Sequence, residues 1–231
     1  MNEFIFLSLE NIDDILIFSQ VCKKGNEIYK KWKNEWYTLH TQIVFSVDEN
    51  GYKRETKIIG DRQYITVWCI GGNKMYEEEY KDGKEEGKWI GWWEAGIKQY
   101  EKEYKNGKKE GKWIIWWENG NKLNEGEYKD GKQEGKWTGW YGNGTTRYEG
   151  KFKNGEEEGK WFGWWKNGNK FYENEYKNGK KEGKWIGWYE NGNTLYEREY
   201  KDGKLEGKWI EWSRNGNKWS DEKYKDGKAI K

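Results

Sequence analysis

Residues 167–190 read Asn167-Gly168-Asn169-Lys170-Phe171-Tyr172-Glu173-Asn174-Glu175-Tyr176-Lys177-Asn178-Gly179-Lys180-Lys181-Glu182-Gly183-Lys184-Trp185-Ile186-Gly187-Trp188-Tyr189-Glu190. Two short aromatic runs alternate with two turn signals. Asn178-Gly179 supplies the positive backbone dihedrals that tight hairpin turns need, and Asn167-Gly168 closes the return. A stretch with glycines at 168, 179, 183 and 187 does not read as a helix. Its runs of β-formers, about five to seven residues long, fit a pair of strands.

The same unit recurs along most of the chain. Trp89, Trp113, Trp137, Trp161, Trp185 and Trp209 are spaced by 24 residues, and Trp92, Trp116, Trp140, Trp164, Trp188 and Trp212 keep that period. So do Tyr80, Tyr104, Tyr128, Phe152, Tyr176, Tyr200 and Tyr224, together with an Asp-Gly or Asn-Gly pair in each unit. Periodicity on this scale is the signature of a repeat architecture. The reading is therefore mostly β: an elongated, single-layer antiparallel meander of hairpin repeats over residues 73–231, six full units and a terminal partial one. Two strands per unit imply a rise of roughly 10 Å per repeat.

Strand parity assigns the faces. With an even hairpin loop, Tyr76, residue 78 and Tyr80 share a face with Trp89, Gly91 and Trp93. Gly91, Gly139, Gly163 and Gly187 leave room there for neighbouring rings to lie over the backbone. The opposite face takes Glu77, Glu79 and Lys81 with Lys88, Ile90 and Trp92. Acids at 77, 101, 125, 149, 173, 197 and 221 and lysines at 88, 112, 136, 160, 184 and 208 form charge ladders that cross-strand pairing explains. Trp92, Trp116, Trp140, Trp164, Trp188 and Trp212 then stand as partly exposed rings among charges, and are the candidate partner-binding residues.

The stretch Tyr148-Glu149-Gly150-Lys151-Phe152-Lys153-Asn154-Gly155-Glu156-Glu157-Glu158-Gly159-Lys160-Trp161 resembles the MORN repeat. Most units replace its first glycine, by Glu78, Lys102, Asn174 or Arg198, and carry Lys-Trp-x-x-Trp after the last. That version is similar to the variant MORN repeats of YwqK-like bacterial proteins and of large DNA viruses that infect amoebae. The resemblance implies an elongated twisted antiparallel sheet, a scaffolding or binding role, and no conserved chemistry.

Upstream, residues 41–72 read as degenerate leading repeats, with Tyr64 to Trp68 lying 24 residues before Lys88 to Trp92. Such units would protect an otherwise open sheet edge. Residues 1–40 differ in kind. Phe4, Leu7, Ile12, Ile15, Leu16, Phe18, Ile28, Trp32 and Trp36 fall at mostly helical spacing, which predicts a small α-helical module. The segment Asp13 to Lys23, followed by Glu27-Ile28-Tyr29 and Trp36, resembles the second half of an F-box. That resemblance implies docking to a Skp-type adaptor through Ile15, Leu16, Phe18, Val21 and Ile28.

Composition narrows the function classes. Lys plus Arg number 43 against 41 acids, and a net charge of +2 gives no field to recruit nucleic acid. His40 is the only histidine, so histidine metal sites and Ser-His or Cys-His nucleophile pairs are not expected. Carboxylates recur in every repeat beside lysines, whereas a catalytic pair should be singular. Gly-Lys dipeptides recur without the phosphate-loop pattern. Cys22 and Cys69 match no metal or redox spacing and read as reduced thiols in a cytoplasmic protein, in a host cytoplasm or virion if the protein is viral. The N-terminal residues lack the features of a signal peptide or membrane span.

The expectation is a non-enzymatic protein–protein interaction scaffold without cofactor or small-molecule substrate, acting as an F-box-type adaptor. The alternatives are a structural component of a large DNA virus particle, an antitoxin-like protein, and a peripheral membrane-binding protein whose lysines meet anionic headgroups.

Overall fold

The computed structural model describes residues 5–8 and 41–230. The chain divides into two compact units, Met1–Lys108 and Lys109–Lys231. The first holds β1 (Ile5–Ser8), β2 (Thr41–Val47), β3 (Lys53–Ile59), β4 (Arg62–Trp68), β5 (Lys74–Lys81), β6 (Lys84–Trp92) and β7 (Lys98–Lys105). Each strand pairs antiparallel with the one before it. The second holds β8 (Lys108–Trp116), β9 (Lys122–Lys129), β10 (Lys132–Trp140), β11 (Thr146–Lys153), β12 (Glu156–Trp164), β13 (Lys170–Lys177), β14 (Lys180–Trp188), β15 (Thr194–Lys201), β16 (Lys204–Trp212), β17 (Lys218–Lys225) and β18 (Lys228–Ile230). These again form an antiparallel meander in chain order.

One expectation needs correction at the N-terminus. Residues 5–8, placed by sequence in the helical module, form β1, with Ile5 opposite Phe45 and Ser8 opposite Gln42. A short apolar run fits an extended partner strand as well as it fits a helix. The rest of that module, including Ile15, Leu16, Phe18, Val21 and Ile28, lies outside the described residues, as do Cys22 and His40. Cys69 is a buried free thiol that joins Ile65 and Val67 in the apolar centre of the first unit.

The hairpin turns follow the sequence signal directly. In the β5–β6 hairpin Asp82 has φ 49° and Gly83 φ 72°, and the corresponding Asp or Asn has positive φ in every later unit. Two consecutive positive dihedrals give the turn whose twist matches that of the strands it joins. The turns also bind one another along the meander. The amide of Asn178 donates to a Glu158 carboxylate oxygen at 2.8 Å, and that of Gly179 to the Glu157 carbonyl at 3.0 Å. Glu86, Glu110, Glu134, Glu182 and Glu206 make the same link to the turn amide twenty residues on.

The aromatic layer forms as parity predicts. The register shift at each Gly87-type position is a surplus of two: Glu77 pairs with Ile90 and Glu79 with Glu86, so three residues oppose one. An even surplus preserves which side chains share a face. Trp113, Trp137, Trp161 and Trp185 are buried, each 5–7% exposed. Their rings alternate with tyrosines, for example Trp113 to Tyr128 at 5.0 Å, Tyr128 to Trp137 at 5.2 Å and Trp185 to Tyr200 at 5.2 Å. A Cβ added at Gly91, Gly139, Gly163 or Gly187 would overlap the ring of Tyr100, Tyr148, Tyr172 or Tyr196. Where that glycine is replaced by Ile115 or Glu211, the residue opposite on the following strand is Asn124 or Ser220 rather than tyrosine. Ring and side chain thus compete for one space in those repeats. In the leading hairpins Val67 faces Tyr76, so the exchange belongs to the regular repeats alone.

Candidate functional site

Trp92, Trp116, Trp140, Trp164, Trp188 and Trp212 each end a strand, β6, β8, β10, β12, β14 and β16 respectively. Each follows a one-residue shift in register, as between Gly139 opposite Tyr148 and Trp140 opposite Thr146. All six are half-buried. Their surroundings are charged. Lys122 lies 5.7 Å from the Trp140 ring centroid and pairs with Glu125 at 2.6 Å. Lys170 lies 5.5 Å from Trp188 and pairs with Glu173 at 2.9 Å. In the first unit Lys74 lies 5.9 Å from Trp92 and is paired with Glu77. Thr146 and Thr194 replace these lysines in the strands that precede Trp164 and Trp212.

The charge ladders are cross-strand pairs, as the sequence suggested. Lys136 meets Glu149 at 2.8 Å, Lys160 meets Glu173 at 3.1 Å and Lys88 meets Glu101 at 3.9 Å. Many of the acids have a second lysine three residues earlier in the same strand, so Glu173 sits between Lys170 and Lys160. The hydrogen bond from Lys170 and then that from Lys160 hold its carboxyl below the usual range, against burial that acts upward. Exposed pairs of this kind add little stability singly. What they do is hold rings and charges of both signs at repeating positions on one face.

Trp93 and its counterparts follow directly after the strand-ending tryptophans. They lie at the return turns, where Trp165 donates from Nε1 to the Trp188 carbonyl at 3.1 Å and Tyr189 from its hydroxyl to the Trp212 carbonyl at 3.0 Å. Trp165 packs on Phe171 at 4.4 Å. Beside them the turn asparagines bridge repeats, with Asn167 and Asn169 both donating to the Glu190 carbonyl at 3.0 and 2.8 Å. Neither this ladder nor the glutamate links at the other turns was read from sequence, although both residues recur with the period.

The shifted titrations lie mainly on the aromatic face. Burial pushes the phenols of Tyr100 and Tyr172 up to about 12, and those of Tyr80 and Tyr176 higher still. An unfolded tyrosine ionises near its ordinary value of about 10. Between that pH and about 12 the folded chain therefore holds more protons than the unfolded one, and stability must fall as pH rises. Tyrosinate absorbance and far-ultraviolet dichroism recorded along a base titration should show ionisation delayed past the ordinary value and then coincident with loss of strand signal. Ionisation near 10 with the sheet intact would show solvent-exposed phenols. Among the described residues no group of His, Cys, Asp and Glu is placed to hold a metal ion, and no helix is long and apolar enough to cross a membrane.

The repeating strand pair, with its glycine turns and paired tryptophans, decides the comparison. Four segments match the MORN repeat variant. They cover residues 109–130, 133–154, 181–202 and 205–226, all in the second unit. Each MORN match starts just inside the long strand and runs to the next hairpin turn, so it takes in one tryptophan of the aromatic row and the one that ends the strand. Residues 157–178, between two of the MORN segments, keep the same strand pair and register. No curated protein matches the chain.

Proposed function

We propose that the chain is a non-enzymatic protein–protein interaction scaffold, in which the tryptophans that end the long strands contact the partner. The observation that carries this reading is the division of the tryptophans. In the aromatic row Trp113, Trp137, Trp161 and Trp185 are buried, whereas all six strand-ending tryptophans are half-buried on the charged face. Large rings that a partner can bury completely contribute most to interfaces, while paired charges around them set orientation and specificity. The MORN resemblance supports the same role, since the repeat implies scaffolding or binding. The F-box resemblance of residues 1–40 extends it to docking on a Skp-type adaptor.

Replacing Trp116, Trp140, Trp164 and Trp188 together by alanine should reduce partner capture at least about tenfold, as expected for several interface rings, while leaving a cooperative unfolding transition. Quantitative capture by the tagged wild-type and variant chains, each with a measured folded fraction, checks this. Unfolding of the variant with capture by its folded fraction intact would contradict the interface. Deleting residues 1–40 in the same assay tests the adaptor role, which fails if no partner is lost.

A further inference from the structure

The Trp161 repeat differs from those of Trp89, Trp137 and Trp185 on the aromatic face. Trp161 is 6% exposed, and its Nε1 has no hydrogen-bond partner. Its counterparts Trp89, Trp137 and Trp185 donate to the carbonyls of Glu79, Glu127 and Glu175 at 3.0, 3.2 and 2.9 Å. The Trp161 ring lies 4.9 Å from Phe152, 6.3 Å from Tyr148 and 6.4 Å from Tyr176. It lines a cleft of about 280 Å³ with those three rings, Tyr172, Gln133 and Glu157.

Two other repeats show that such a cleft accepts a cation. Lys109 places its ammonium 4.6 Å from Trp113 and 4.9 Å from Tyr128. Lys181 does the same at 4.4 Å from Trp185 and 5.0 Å from Tyr200. Both lysines occupy the repeat position that Glu157 holds, 48 residues after Lys109 and 24 before Lys181. At Trp161 that position holds a carboxylate, as Glu85 does in the first regular repeat, while Gln133 and Leu205 take it in two others. No lysine or arginine among the described residues stands over that ring. The wall is also wider, 6.4 Å between Trp161 and Tyr176 against 5.0 Å between Trp113 and Tyr128. Burial raises the Glu157 carboxyl above its ordinary value, as it does for an acid that lacks its counter-ion.

We propose that this cleft binds an external alkylammonium group of the lysine side-chain type, with the faces of Trp161 and Tyr176 taking the cation and Glu157 accepting its N–H bonds. Ring faces attract an ammonium by their quadrupole, and the carboxylate adds a charge-assisted hydrogen bond. The site lies on the face opposite the Trp140 row and does not depend on the interface proposed there.

The test follows the Trp161 indole N–H by NMR, assigned with Trp161→Phe, while butylammonium chloride or the N-acetylated, C-amidated peptide Gly-Lys-Gly is titrated against sodium chloride at equal ionic strength. A saturable shift with butylammonium is expected, weakened at least about tenfold in Glu157→Gln, the ratio that losing one charged hydrogen bond implies. It should vanish in Glu157→Lys, where the chain supplies its own ammonium as at Lys109 and Lys181. Unchanged Trp137 and Trp185 indole signals would show that both variants stay folded. Saturation by the peptide as well as the amine identifies a protein-borne lysine, and saturation by the amine alone a free amine. The proposal is overturned if neither probe shifts Trp161 beyond the salt control, or if Glu157→Lys binds as the wild type does.

Discussion

Trp137→Ala should lower the unfolding free energy by about 3–5 kcal/mol, the range for deleting a fully packed large aromatic. The ring is 5% exposed, lies 5.2 Å from Tyr128 and 6.0 Å from Phe152, and rests over Gly126. Truncation removes those contacts and takes the hydrogen-bond donor from the Glu127 carbonyl. A meander has no second layer to collapse into the space, so relaxation recovers little. The neighbouring change Trp140→Ala should lose far less, since that ring is half-buried and its cation contact with Lys122 is worth about 0.5–1 kcal/mol at an exposed site. Denaturant midpoints of the two variants check the pair. A small loss at Trp137, or a loss at Trp140 of equal size, would show the faces misassigned.

Gly163→Ile should destabilise by about 1–3 kcal/mol through overpacking, because its side chain would enter the space of the Tyr172 ring. Adding Tyr172→Asn should recover much of that loss. The double variant recreates the pair that the chain already uses at Ile115 opposite Asn124. Residues that share one space couple by about 0.5–3 kcal/mol, so a double-mutant cycle on denaturant midpoints reads the competition directly. Additive losses would mean that the glycine is required for its backbone and not for the ring.

Much of this was legible from periodicity and parity. Asp82-Gly83 and its successors gave the turns because only a few residue types accept two consecutive positive dihedrals. Trp89 shares a face with Tyr80 as alternation predicts, because the hidden irregularity at Gly87 adds two residues and an even surplus leaves alternation across the hairpin unchanged. At the return turn the surplus is one residue. Gln99 is extra between Gly91 opposite Tyr100 and Trp92 opposite Lys98, which alternation alone does not foresee. The role of Glu158 was not legible, since its hydrogen bond to Asn178 appears only when one hairpin turn stacks against the next. The exchange of Tyr172 for Asn124 opposite Gly163 and Ile115 was present in the sequence, but it needed the register to join the two columns. In residues 5–8 an apolar run gave no period long enough to separate strand from helix.

Hydroxyl-radical footprinting of the intact wild-type chain, read tryptophan by tryptophan by mass spectrometry, tests the division of the two rows in a single experiment. Trp116, Trp140, Trp164 and Trp188 should be modified well before Trp113, Trp137, Trp161 and Trp185, whose rings are 5–7% exposed. Equal rates for the two rows, or faster modification of the Trp137 row, would contradict the account.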